Sequence, residues 1–404
     1  MSRSLSLLLL VLMLQGCASS VVRNPVPEQE LARASISGIP DARLSLAAVT
    51  VYSDATDLKK FRDMSEKLEE ITGGAQLHPN FLAISGGGAE GAFTAGLLNG
   101  WTAAGDRPIF QIVSGVSTGA LIAPFAFLGP EYDEVLRMLY TTSNTDSIVH
   151  KLGIFSIRKK SALTDTAPLR DIIAASVDEE FLAKVAAEHD KGRRLVVATT
   201  NLDAQTPVVW NLGAIAKSGQ PHALQLFRDV MLASASIPGV FPPVLIEVEA
   251  NGRRYDEMHV DGGVSMQIFA YPPGMNIAEL KEHSGLDLDL NLYMIRNSKV
   301  LPENQPIEMK LKDIAAVSAS MLIRSQGNSN ITETYEATQR DGIAFRLAYI
   351  PPDFEEVATE AFDPVYMNKL YQLAYERASG GYPWSDIPPW YSEAIREILY
   401  QRID

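Results

Sequence analysis

The chain has 404 residues, 46% of them hydrophobic and 21% charged, and a net charge of −14. That length is ample for one large α/β domain with extensions, and the acidic balance argues against a nucleic-acid binder and against electrostatic adsorption to anionic lipid. Cys17 is the only cysteine, which excludes an internal disulfide, a cysteine metal site and a thiol nucleophile in the body of the chain.

Residues 1–16 read as a secretion signal. Arg3 supplies the positive end, and Leu5 to Leu14 supplies an apolar stretch too short to span a bilayer. Leu14-Gln15-Gly16-Cys17 resembles a bacterial lipobox. The resemblance implies cleavage before Cys17 and acylation of its thiol and new amino group. Ala18 at the next position implies sorting to the outer membrane, on its periplasmic face. The alternative is an ordinary signal peptide with a chance cysteine. Residues 17–48, carrying Pro25, Pro27 and Pro40, read as a lipidated tether. Membrane contact is then expected from the anchor and from apolar surface.

Asp57 to Ile71 places Leu58, Phe61, Met64, Leu68 and Ile71 near helical spacing, which predicts an amphipathic helix. The apolar run Phe81 to Ile84 predicts a strand. It breaks into Ser85-Gly86-Gly87-Gly88-Ala89-Glu90-Gly91, and a helix follows to about Ala104, rich in small residues that let it pack close to a sheet. A second strand, Ile109 to Val113, leads to Gly115-Val116-Ser117-Thr118-Gly119, and the uncharged run to Leu128 predicts a buried helix. Glu131 to Tyr140 predicts another. Ser147 to Asp165 reads as a connection or a flap, and Thr166 as the cap of a helix with Pro168 in its first turn.

Strands are predicted at Arg194 to Thr200 and Pro207 to Leu212, joined as a hairpin, and Leu224 to Ala235 as a helix. Asn251-Gly252 predicts a hairpin turn between Val244 to Ala250 and Arg253 to Tyr255. Met258 to Val260 leads into Asp261-Gly262-Gly263. Leu290 to Ile295 and Ala344 to Ile350 are the last strands, with helices at Ile307 to Ser325 and Tyr366 to Ala378. Strands alternating with helices predict an α/β fold: a three-layer sandwich with a mostly parallel or mixed sheet between helices. The expected division is a main domain over 49–300 and a mainly helical C-terminal extension over 301–404, packed on the core.

The two glycine turns carry the chemistry. A serine on a G-x-S-x-G turn between strand and helix is pushed out where a substrate can meet it. A glycine triplet leaves backbone N–H groups bare, and such groups can hold the oxyanion formed when a serine attacks an ester carbonyl. The triplet lacks the Lys-Ser/Thr of a P-loop. It formally fits a dinucleotide fingerprint with Asp106, but a dinucleotide gives Ser117 no task.

The proton of Ser117 needs an acceptor. A histidine triad could draw on His259 or His283; His150, His189 and His222 also follow Ser117. A carboxylate acting directly is the other option. Asp261 ends a predicted strand, and a partly dehydrated carboxylate has a proton affinity suited to general-base work. His259 falls on the same side of that strand, to tune Asp261 or to pack in the core.

The order GGG-x-x-G, G-x-S-x-G, Asp-Gly-Gly resembles the patatin-like phospholipases. Ala233-Ser234-Ala235-Ser236-Ile237-Pro238-Gly239-Val240-Phe241 resembles that family's A-S-x-A-x-P segment, with Ser236 in place of the second Ala. The resemblance covers about 81 to 265. It implies a Ser–Asp dyad, Ser117 as nucleophile and Asp261 as base, with Gly86, Gly87 and Gly88 forming the oxyanion hole. The Thr118 N–H is a candidate extra donor. The scheme requires no metal or cofactor, and its substrate is a lipid or other acyl ester. Two residues depart from the family: Ser85 stands where Asp is common, and Glu90 where Arg or Lys is frequent. Glu90 reverses the charge an anionic head group would meet, so an acyl-ester hydrolase is expected more firmly than a phospholipase. The competing readings are a histidine-triad esterase and a non-catalytic envelope lipoprotein. No protein partner is indicated.

Overall fold

A computed structural model describes residues 23–44, 78–148, 150–151, 164–271, 276–284, 289–304 and 306–392. The signal sequence, Cys17, the helix expected over Asp57 to Ile71 and most of the connection from Ser147 to Asp165 lie outside the described residues.

Among the described residues the main sheet has nine strands: β1 Arg43–Leu44, β2 Asn80–Ile84, β3 Phe110–Val116, β4 Arg194–Asn201, β5 Thr206–Asn211, β6 Val244–Ala250, β7 Arg253–Asp261, β8 Asn291–Arg296 and β9 Ala344–Tyr349. Their order is β1-β5-β4-β3-β2-β8-β9, with β7 also pairing with β4 and β6 with β7. The five strands from β4 to β9 in that row pair in parallel, and the pairings made by β1, β5, β6 and β7 are antiparallel. The sheet is therefore mixed, with the parallel part at its centre. The β6–β7 hairpin turns at Asn251 and Gly252, both at positive φ as a tight primed turn requires.

The principal helices are α1 Gly91–Ala104, α2 Thr118–Leu128, α3 Asp133–Thr141, α4 Ala167–Ser176, α5 Glu179–Asp190, α6 Leu212–Lys217, α7 Ala223–Ser234, α8 Ile277–Ser284, α9 Leu311–Asp341 and α10 Pro364–Ser379. Period-two alternation divides each central strand between two cores. Leu82, Ile84, Val113, Ile295 and Ala348 pack with α1, α2, α7 and α10. Ala83, Leu292, Met294, Phe345 and Leu347 face Ile277 of α8 and Ile331 and Ala337 of α9. These are the helical layers on either side of the sheet that the alternation of elements predicts.

Four local expectations change. Thr166 makes no capping hydrogen bond, and the Asp165 side chain accepts the Ala167 N–H at 3.1 Å instead. The small residues of α1 serve a helix rather than the sheet, since Gly96 and Gly100 lie against the α10 backbone at Tyr371 and Tyr375. α5 was not expected, although Asp178 caps it by accepting the Phe181 N–H. The helix expected to end at Ser325 runs on to Asp341 as α9. Past Ser325 its polar residues Gln326, Asn328 and Asn330 bond to Gln267 and Val300.

Beyond residue 300 the chain supplies β9, which pairs with β8 along its length, and α10, which packs on α1.

Candidate active site

β4 brings the two candidate reactive residues together. Along one edge of β4, β3 pairs as far as Val116↔Ala198. Past that point β7 takes over from the opposite direction, with Asp261↔Thr199 as its first pair. Ser117, the residue after Val116, and Asp261 are thus delivered to one spot from strands that run opposite ways. The Ser117 Oγ donates to Asp261 Oδ2 at 2.6 Å, and both side chains are buried.

Ser117 sits at φ 55°, ψ −124°, a conformation few non-glycine residues adopt. Two contacts hold it there. Its N–H donates to Ser234 Oγ at 3.0 Å, and its carbonyl accepts from Ala120 N at 2.8 Å, the first turn of α2. The bend explains the flanking glycines, because a Cβ on Gly115 would run into the Gly119 carbonyl.

The Ser234 hydroxyl in turn donates to the Ala198 carbonyl at 2.6 Å, and the Ser236 carbonyl accepts the Asp261 N–H at 2.9 Å. The Ala233-to-Phe241 segment therefore holds the backbones of both reactive residues. That mechanical role has no signature in the residues of the segment itself.

Asp261 also accepts the Gly263 N–H on Oδ1 at 2.7 Å. Burial pushes its carboxyl up to about 6, while the bonds from Ser117 and Gly263 pull the other way. A carboxylate of that proton affinity, bonded to a serine hydroxyl, is suited to taking its proton near neutral pH.

The glycine turn lies beside them. The Gly86 N–H is already committed to the Gln267 carbonyl at 3.1 Å, so of the three amides expected to form an oxyanion hole it is not a free donor. Among the described residues no acceptor takes the Gly87 or Gly88 N–H. Thr118 opens α2, where an N–H has no partner one turn earlier. Asn297 clamps the turn: its N–H donates to Ser85 Oγ at 2.8 Å and its Nδ2 to the Ser85 carbonyl at 3.0 Å. Its own carbonyl lies where a Cβ on Gly87 would stand. Ser85, the departure from the family pattern, is thus fully engaged in holding the loop.

Glu90, the other departure, is paired at a distance with Arg296. Burial pushes the Glu90 carboxyl up to about 7, with its own backbone hydrogen bond and the Arg296 charge pulling it down. Burial lowers the Arg296 guanidinium to about 10, opposed by Glu90. Arg296 is 2% exposed and reaches Gln267 Oε1 at 3.4 Å. The loop's anion is thus countered by a buried cation at the end of β8.

Gln267 joins these parts, and sequence reasoning missed it. Besides accepting from Gly86, its Nε2 donates to the Gly263 carbonyl at 2.6 Å and to Gln326 at 3.1 Å, and its N–H to Asn330 at 2.9 Å. One side chain and its backbone tie the glycine turn, the aspartate turn and α9 together.

His259 does not reach Ser117. Its Nδ1 meets Thr199 Oγ1 at 2.8 Å and its Nε2 meets Glu257 at 3.0 Å. Thr199 also accepts the Trp210 indole N–H, at 2.8 Å. The Thr199 hydroxyl then donates to Nδ1, and the ring carries its proton on Nε2, facing Glu257. Burial lowers the affinity of His259 for a second proton, against the pull of Glu257. Both nitrogens are occupied inside the core. The side chain of His283 lies outside the described residues.

From Ser117 a cleft of about 790 Å³, including its open mouth, runs between α2, α4 and α7. Leu121, Phe125, Ile173, Met231 and Phe241 line it, and almost all of its wall is carbon. Such a wall suits a hydrocarbon chain.

Residues 82–272 match the family of patatin-like phospholipases. This stretch is a patatin-like phospholipase domain. The patatin-like match spans β2 through β7, so it contains both glycine turns, Ser117 and Asp261. The domain type is that of an esterase or lipid hydrolase. Among solved structures, VipD from Legionella pneumophila aligns at 11% identity over 76% of this chain and 68% of its own, with a TM-score of 0.32, a likeness too slight to argue from. A search of curated proteins found no match.

Proposed function

We propose that this patatin-like protein hydrolyses carboxylic esters of lipids through a Ser117–Asp261 dyad and an acyl-enzyme. The observation that carries this reading is the 2.6 Å hydrogen bond from Ser117 Oγ to the raised carboxylate of Asp261 at the head of an apolar cleft.

Asp261 takes the hydroxyl proton as Ser117 Oγ attacks the ester carbonyl. The oxyanion that forms is held by the uncommitted N–H groups of Gly87 and Gly88, with Thr118 N–H as the third donor, and not by Gly86. The tetrahedral intermediate collapses, the proton passes from Asp261 to the leaving alcohol, and the acyl group stays on Ser117. Asp261 then takes a proton from water, whose oxygen attacks the acyl carbonyl. Ser117 regains its proton as the fatty acid leaves, and the site is restored. The acyl chain lies along Leu121, Phe125 and Phe241 throughout.

Phospholipid is one candidate substrate. Glu90 gives the head group no cation on the loop, which favours neutral esters over phosphate-bearing ones. The lipobox-like Leu14-Gln15-Gly16-Cys17 supports lipidation at Cys17, which would hold the enzyme at a bacterial outer membrane.

Hydrolysis of short p-nitrophenyl esters and of phospholipid vesicles by the wild type, Ser117→Ala and Asp261→Asn tests the proposal. Each variant is expected to lose about 1,000-fold or more with its circular dichroism unchanged. Wild-type protein inert toward every ester and unlabelled by a fluorophosphonate would instead support a non-catalytic binding role.

A further inference from the structure

Among the described residues, nothing packs over the first four turns of α9. From residue 311 to 326 no side chain is buried, and burial begins only at Gly327. Leu311, Ile314, Met321 and Leu322 are 86, 48, 55 and 72% exposed, and Met309 just ahead of the helix is 97% exposed. At 100° per residue, Leu311, Ile314, Ala315, Met321 and Leu322 fall within a stripe of about 120° that also holds Ser318 and Ser325, with Asp313, Ser320 and Arg324 on the other side and Ile323, 49% exposed, between the two. The usual burial pattern is inverted here: the apolar half of α9 faces water, and its polar half grips the site.

The arm is rooted at the aspartate turn. Gln326 bonds to the Val264 carbonyl and to Gln267, and Val264, three residues past Asp261, is 47% exposed. Ile237 lines the cleft that opens at Ser117, yet it is 40% exposed, and neighbouring Val240 is 36% exposed. Apolar surface is thus found both on the arm and at the rim of the cleft.

We infer that the exposed stripe of α9 is a docking surface for a lipid bilayer, seating the mouth of the cleft against it. The inference rests on the acyl-hydrolase reading, because an ester whose chain fills the cleft resides in a membrane rather than in water. Two further observations favour lipid over a second copy of the chain. A stripe about 24 Å long and about 10 Å wide offers on the order of 240 Å², well short of the ~800 Å² per partner in a stable protein interface. The stretch also carries Lys310, Lys312 and Arg324 against Glu308 and Asp313, in a chain of net charge −14. With three cations against two anions, this stretch meets an anionic surface with less repulsion than the chain as a whole, whereas two copies would repel each other as they met.

The test uses the full chain with Cys17→Ser, which removes the only cysteine, and a polarity-sensitive fluorophore on Leu322→Cys or Ser320→Cys. Vesicles of phosphatidylcholine and phosphatidylglycerol are expected to shift the emission to the blue at 322 and to leave 320 in water. Adding Ser117→Ala should not change this, so the readout survives if the catalytic reading fails. Leu311→Asp with Leu322→Asp is expected to slow hydrolysis of vesicle lipid about tenfold and to leave hydrolysis of a soluble short-chain ester unchanged. Equal responses at 322 and 320 would overturn the inference. So would a blue shift driven by protein concentration without vesicles, or vesicle hydrolysis indifferent to the two aspartates. Failure of the wild type on soluble ester would count against the acyl-hydrolase reading alone.

Discussion

The backbone N–H of Ser117 donates to the side chain of Ser234, 117 positions away, and that hydroxyl in turn donates a hydrogen bond to the Ala198 carbonyl. The strained φ of the nucleophile is thus held from outside its own turn. Removing the clasp frees the backbone to relax. Ser234→Ala is expected to lower kcat about tenfold or more with KM little changed, since displacement of a reacting atom acts on the chemical step. The two stranded backbone groups should also cost about 1–3 kcal/mol in urea unfolding.

The pH profile follows from Asp261. Its carboxylate form is the base, so kcat/KM should rise with pH, pass its midpoint near 6 and then level off. A stopped-time assay on a soluble ester between pH 4.5 and 9 checks this.

The same shift has a stability consequence of opposite sense. A carboxyl that binds its proton more tightly when folded stabilises the fold only while protonated. That contribution is complete below the unfolded value of 3.8 and is lost as pH rises through about 6. Asp261→Asn is neutral at every pH and keeps the shape. At pH 8 it should be more stable than the wild type by about 3 kcal/mol, and the gap should close toward pH 4. Paired thermal melts across that range measure the difference.

The glycine turn gives a graded pair of variants. A methyl group on Gly87 would collide with the Asn297 carbonyl, whereas one on Gly88 meets nothing within 4 Å but must adopt a φ of +59°. Gly87→Ala should therefore displace the loop and abolish ester hydrolysis. Gly88→Ala should keep measurable activity at a stability cost of about 1 kcal/mol. Steady-state kinetics and urea titration of the two variants separate the effects.

Much of this was legible in the sequence because the turns are local. Apolar runs ending in Gly86-Gly87-Gly88 and Gly115-Val116-Ser117 announce strand, bend and helix within a dozen residues, and Asn251-Gly252 announces its hairpin. The alliance of Ser117 with Asp261 was not local. It depends on β4 changing partners between Ala198 and Thr199; the residues alone left Asp261 as one candidate base among several, and the family resemblance singled it out. Gln267 and Arg296 left no signal, because their roles are hydrogen bonds and charges across separate elements. The commitment of the Gly86 N–H to Gln267 was invisible for the same reason. α9 misled because helix prediction assumes that apolar residues seek the core. Here Leu311 and Leu322 face water, while Asn328 and Asn330 bond to Val300 and Gln267.

Pre-steady-state hydrolysis of p-nitrophenyl butyrate tests the dyad most directly. A burst of about one equivalent of nitrophenol per wild-type chain is expected, with the butyryl group recovered on the Ser117 peptide by mass spectrometry. Neither Ser117→Ala nor Asp261→Asn should show a burst. A burst in Asp261→Asn at close to the wild-type rate would contradict the account, because the serine would then be losing its proton to some other group.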